Sequence, residues 1–234
     1  GGLENVAKEA WSTIGKKTGM IKGVLSVTQK WAEVWAKNPD DDSPVLVAIP
    51  DAVKGSFALP LPIGEYRIVL ASLSGEASTD IIVSDEQVPH ELTLEVPKPG
   101  LLNYKVVNKQ NELIPTRLVI WGISGTKNPV LGPHYSADGA GNVVYSANGT
   151  GELYLPAGRY RILATHGPEY SIHQRNVHIA KDKGSNIKLI LEKQVNSKGW
   201  LSADFHLHAS PSPDSNISLK DRIISLLVED VKIA

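Results

Sequence analysis

"LPIGEYRI", residues 61–68, returns as "LPAGRYRI", residues 155–162, with six of eight positions identical. A return of this kind marks an internal repeat. Alternation places Tyr160, Ile162 and Ala164 on one side of a strand in "GRYRILATH", and Arg159, Arg161 and Leu163 on the other. The first set is therefore expected to face a core. Leu-Pro-x-Gly ahead of the strand is turn chemistry: Pro restricts φ, and Gly tolerates values other residues avoid.

Outward from this motif, "GMIKGVLSV" from Gly19 matches "GLLNYKVVN" from Gly100 in character, and "AEVWAKN" from Ala32 matches "TRLVIWG" from Thr116. The order is the same in both halves, with a longer insertion, "ISGTKNPVLGPHYSADGAGN", in the second. Short Val, Ile, Leu, Tyr and Thr runs separated by Gly, Pro, Asn and Asp predict a mainly β chain. It is expected to hold two tandem antiparallel β-sandwich modules, residues 17–97 and 98–195. Residues 1–16 differ: Leu3, Val6, Ala7, Ala10, Trp11 and Ile14 recur at helical spacing. They predict a short amphipathic helix with Trp11 packed on a sandwich, since its polar face is not basic enough for a membrane role.

The totals agree with a two-unit globular protein. Domains of about 100 to 150 residues make two units the natural division of 234 residues. Hydrophobic residues at 41% and charged residues at 21% are near the globular norm, which argues against disorder. No apolar run approaches the roughly 18 residues of a membrane span. A net charge of -1 with scattered Lys and Arg gives no footprint for nucleic acid. Without Cys, any metal must be held by His and carboxylate. "GGLENVAKEA" lacks the charged and apolar regions of a signal peptide.

The last stretch, residues 196–234, has a different character. In "GWLSADFHLHASPSPDS", residues 199–215, alternation predicts a strand with Ser202, Asp204, His206 and His208 on one face and Leu201, Ala203, Phe205 and Leu207 on the other. Imidazoles two residues apart on one face are close enough to converge on one ion. Asp204 suits either ligation or the orientation of a ligand His. A Ser-Pro loop follows, then a helix with Ser218 and Asp221 at a capping-box spacing and Leu219, Ile223, Leu226 and Leu227 on one face. "VKIA" predicts a second strand.

The two halves resemble carboxypeptidase regulatory-like, or transthyretin-like, β-sandwich modules through the LPxGxY turn. That resemblance implies spacer or folding roles, with carbohydrate or protein binding in some members. Related pilin-type modules carry Lys–Asn isopeptide bonds, but no Glu ends either Tyr-containing strand to promote one. "DFHLHASPSPDS" resembles the opening motif of the PHP (polymerase and histidinol phosphatase) metal-dependent hydrolases, and the preceding "GW" its carbaryl-hydrolase-like branch. The resemblance implies a truncated α/β start at 196–234, with His206 and His208 as metal ligands, Asp214 as a further candidate, and Asp204 as ligand or supporting group. It also implies a divalent zinc, manganese or iron ion in a longer parent, with the rest of the catalytic domain as partner. The Thr-Asp-His motif and later ligands of that family do not follow "VKIA", so this segment alone is expected to hold no metal and to lack activity.

His173 and His178 are five apart and face opposite sides of a strand, while His90, His134 and His166 have no acidic or imidazole neighbour at ligand spacing. All five are taken as ordinary polar residues. Trp31, Trp35 and Trp121 suggest a sugar-stacking platform, but matching positions for Trp35 and Trp121 in the halves favour a shared core role. The tail is expected to dock on the second sandwich or on another copy of the chain, because an isolated strand-helix-strand unit cannot cover its strands. The leading expectation is the non-catalytic β region of a PHP-like phosphoesterase. The alternative is a self-contained carbohydrate- or protein-binding module whose His pair is incidental. The resemblance favours the bacterial periplasm or exterior.

Overall fold

A computed structural model of the chain describes residues 3–84 and 89–234. Gly1 and Gly2 of the expected helix lie outside the described residues. The chain divides into two compact units, Gly1–Pro97 and Lys98–Ala234. It is mainly β, 45% strand and 9% helix. No described helix is long and apolar enough to cross a membrane.

The first unit opens with α1 (Leu3–Thr13) and continues through β1 (Thr18–Leu25), β2 (Ala32–Lys37), β3 (Pro44–Ala48), β4 (Ser56–Pro62), β5 (Gly64–Ser72), β6 (Gly75–Val83) and β7 (His90–Leu94). Its sheets have the orders β4-β1-β7 and β3-β2-β5-β6. In the second unit the strands are β8 (Gly100–Val107), β9 (Thr116–Ile123), β10 (Val143–Ser146), β11 (Thr150–Leu155), β12 (Gly158–Thr165), β13 (His173–Ile179) and β14 (Gly184–Ile190), followed by α2 (Leu219–Val228). Their orders, β11-β8-β14 and β10-β9-β12-β13, repeat those of the first unit strand for strand. The sequence repeat is thus a repeat of topology. The pairing is antiparallel except where the last strand of each unit returns beside the first in the same direction, β7 on β1 and β14 on β8.

Alternation sets the cores. In β12, Tyr160, Ile162 and Ala164 are fully buried, while Arg159 and Arg161 are exposed. The matching strand of the first unit buries Tyr66, Ile68 and Leu70. Each motif tyrosine then closes on its own turn. Tyr66 donates its hydroxyl to the Pro62 carbonyl oxygen at 3.0 Å, and Tyr160 to that of Pro156 at 2.9 Å. Both are tyrosine corners, in which a buried ring carries its polar atom to a backbone acceptor across the turn.

The motif glycine serves the two units differently. Gly64 adopts φ 156°. Gly158 is required by contact instead, since a Cβ there would lie 2.5 Å from Thr126 Cγ2.

In α1, the Trp11 indole donates to the Pro60 carbonyl oxygen at 3.1 Å, which fastens the helix to β4. Val6 and Ile14, expected on the packed face, are exposed. The tail departs further from its expected form. Residues 200–208 form no strand, and "VKIA" contributes one isolated parallel bridge, Ala203 to Ile233. Leu201 and Phe205, expected under cover, are 67% and 84% exposed. Extended backbone becomes a stable strand only with ladder partners and packed faces, and this segment has one bridge. The cap is present: Ser218 Oγ accepts from the Asp221 N–H at 3.0 Å and donates to the Asp221 carboxylate at 2.9 Å. α2 packs on β9 and β10 of its own unit and buries Val228, but Leu219, Ile223 and Leu227 remain exposed.

Candidate functional site

The His-x-His segment converges without a strand to arrange it. His206 Nε2 and His208 Nε2 lie 3.2 Å apart, with ring centroids separated by 5.3 Å and planes tilted by 35°. Asp214 meets the opposite nitrogen of His208, Oδ1 to Nδ1 at 3.0 Å, and Ser212 donates to the same carboxylate. The Ser212 and His208 hydrogen bonds hold the Asp214 carboxyl below the usual carboxylate range. Asp204 turns to its own backbone, accepting from the His206 N–H at 3.1 Å. Arg222 anchors the loop by donating to the His208 carbonyl oxygen at 2.9 Å.

This donor set can be tested against a metal. Two nitrogens about 2.0–2.1 Å from a tetrahedral ion stand roughly 3.3–3.4 Å apart, close to the separation found. Asp214 occupies the orienting position behind His208 rather than a ligand position. Asp204 is turned away. Among the described residues, no group of three or more His, Cys, Asp or Glu could hold an ion. The residues therefore do not fit a catalytic metal centre, and no reaction step is assigned to one.

A second polar cluster has no signal in the sequence. His166, at the end of β12, is buried beside a cleft of about 550 Å³. Its Nδ1 donates to the Val228 carbonyl oxygen at 3.1 Å, and its Nε2 lies 3.4 Å from Asp230 Oδ1. Asp230, also buried, takes the left-handed φ of 58° just beyond α2. Short polar side chains tolerate this conformation at a helix end. Lys232 pairs with the same carboxylate, and Tyr170 meets the imidazole edge-on at 4.5 Å. Burial pushes the His166 pKa down, opposed by Asp230. His166 is thus not an ordinary polar residue, because it fastens the end of α2 to the sandwich. The other lysines of the cleft are paired, Lys109 with Glu192 and Lys193 with Glu169.

The tryptophans require a correction. Cross-strand register sets Trp35 opposite Val69 and Trp121 opposite Arg161. With Tyr66 and Tyr160 as the common reference, Trp35 corresponds to Val119, and Trp121 to Lys37. The two therefore do not share a position, and neither lies in a core. Trp35 is half-buried on the outer sheet face, its indole donating to Glu33 at 3.0 Å. Trp121 is 38% exposed on the corresponding face of the second unit.

No protein-family model and no curated protein matches the chain. Among solved structures, the chain is similar to the Bacillus anthracis TIE protein, at 21% identity over 76% of this chain and 34% of that one, with a TM-score of 0.30. It is also similar to the minor pilin of Streptococcus agalactiae, at 12% identity over 75% and 96% of the two chains, with a TM-score of 0.38. A shaft pilin from Lactobacillus rhamnosus GG matches at 11% identity over 77% and 100%, with a TM-score of 0.36. The chain spans about a third of the length of the TIE protein. The resemblance to PHP metallohydrolases and to carboxypeptidase regulatory-like modules is overturned, since no family model of either kind matches the chain. The expected role as part of a metal-dependent phosphoesterase falls as well, and nothing supports a catalytic domain as partner.

Proposed function

We propose that the chain is a tandem β-sandwich binding module, acting on carbohydrate or protein at the cell exterior. The observation that carries this reading is Trp121, a large aromatic ring 38% exposed on the outer sheet face rather than packed in the core. Exposed aromatic surface of this kind is characteristic of contact sites, because a ring offers apolar area at small conformational cost. Titration of the full chain with a panel of soluble polysaccharides by calorimetry tests the reading. Binding that survives His206→Ala and is weakened by Trp121→Ala supports it. Loss with His206→Ala and persistence with Trp121→Ala would move the function to the tail.

A second reading applies to the tail alone, favoured by the 3.2 Å separation of the His206 and His208 nitrogens. There the pair takes up a single zinc ion with two of its four ligands, weakly, with Asp214 orienting His208. Zinc titration of the full chain reads this directly: heat that disappears in His208→Ala supports it, and heat unchanged in that variant rejects it.

A further inference from the structure

The repeat supplies an internal comparison of the two outer sheet faces. On the first unit, Arg67 of β5 forms an ion pair with Asp80 of β6 at 3.1 Å. Glu65 lies on the same face of β5, and Glu33 of β2 is on that face farther along, opposite Ala71. The same register in the second unit puts Arg161 where Arg67 stands, but Asn176 where Asp80 stands. Arg159 takes the place of Glu65, and Arg117 that of Glu33. Every one of these carboxylates has become a neutral or cationic group.

The consequence is electrostatic. Arg161 Nε reaches only the Asn176 amide oxygen, at 3.4 Å, which leaves the guanidinium charge uncompensated. None of the described ion pairs involves Arg159 or Arg161, whereas Arg117, where α2 packs, faces Glu229 at 3.0 Å. Arg159 and Arg161 stand about 7 Å apart along one strand face. Trp121 lies directly across from Arg161, with Asn176 and Gln174 on the strand beyond. A chain with a net charge of -1 thus carries one cationic, aromatic and amide-bearing face.

We propose that the outer face of β9, β12 and β13 binds an acidic polysaccharide, its uronate carboxylates meeting Arg159 and Arg161 and a sugar ring lying against Trp121. The inference rests on the binding-module reading and names its ligand class. Guanidinium groups engage carboxylates through paired donors, and the amides suit sugar hydroxyls. An acidic peptide would satisfy the charges but make less use of the exposed face of an aromatic ring and of the amides beside it.

Polygalacturonate tests the proposal, with carboxyl-reduced polygalacturonate and polyglutamate as comparison ligands and calorimetry of the full chain as readout. Polygalacturonate binding should weaken with added salt, and both comparison ligands should bind at least about tenfold more weakly. The double variant Arg159→Glu with Asn176→Asp gives β12 and β13 the carboxylates that Glu65 and Asp80 place on the first unit, which a sheet of this topology already carries. It should lose binding while keeping its thermal transition. Trp121→Ala should weaken binding about tenfold and retain the salt dependence. Undiminished binding by the double variant, or equal affinity for polyglutamate, overturns the proposal. Equal affinity for the carboxyl-reduced polymer, lost in Trp121→Ala, overturns the acidic-ligand inference and leaves the binding-module reading standing. No binding to any of the three polymers overturns the proposal, and the wider polysaccharide panel then decides the parent reading.

Discussion

The hydroxyl of Tyr160 donates to the carbonyl oxygen of Pro156 at 2.9 Å, so the motif that announces the repeat also fastens its own turn. Tyr160→Phe keeps the ring and removes the bond, and is expected to cost about 1 kcal/mol. Urea unfolding checks this, and a variant as stable as the parent would contradict it. Burial raises the Tyr160 pKa to about 12. The raised value means that stability is intact below the ordinary value of about 10 and declines as pH climbs towards 12. Tyr160→Phe should flatten that alkaline decline.

His166 carries an acid-side prediction. Burial lowers its pKa from the ordinary 6.5, against the pull of Asp230, the Val228 carbonyl and Glu229, with Lys232 adding to the lowering. A folded value below the unfolded one means the contribution is present above about pH 6.5 and lost as pH falls through the folded value. Hydrogen exchange at residues 226–231 should therefore accelerate between pH 7.5 and 5, after correction for intrinsic rates. His166→Gln should reduce that dependence, and an unchanged pH response in the variant would refute the assignment.

Gly158 and Thr126 form a packing pair. A Cβ on Gly158 would press on Thr126 Cγ2 at 2.5 Å, while the Arg159 N–H donates to Thr126 Oγ1 at 3.0 Å. Gly158→Ala should cost roughly 1–3 kcal/mol as overpacking. Adding Thr126→Ser removes the methyl group, retains the acceptor, and should recover part of the loss in a double-mutant cycle. Strict additivity of the two changes would show that the contact is not the cause.

The tail shows where periodicity misleads. Asp204, His206 and His208 alternate as a strand would, yet the segment has one bridge and its apolar partners Leu201 and Phe205 stand in solvent. Alternation reports which side chains would share a face if neighbours existed; it does not supply the neighbours. The imidazoles nevertheless meet, held by local contacts from Ser212, Asp214 and Arg222.

The order of residues alone determined the repeat, because the same motif is written twice, and the buried side of β12 and the cap at Ser218, because each of these depends on residues within a few positions of one another. Tertiary structure alone decided that Trp121 lies opposite Arg161 and that His166 lies on Asp230, since cross-strand register and the packing of α2 join residues far apart in sequence. The charge difference between the two outer faces also becomes legible only through register: Asp80 and Asn176 are recognised as counterparts once each is found facing its own arginine across a strand pair.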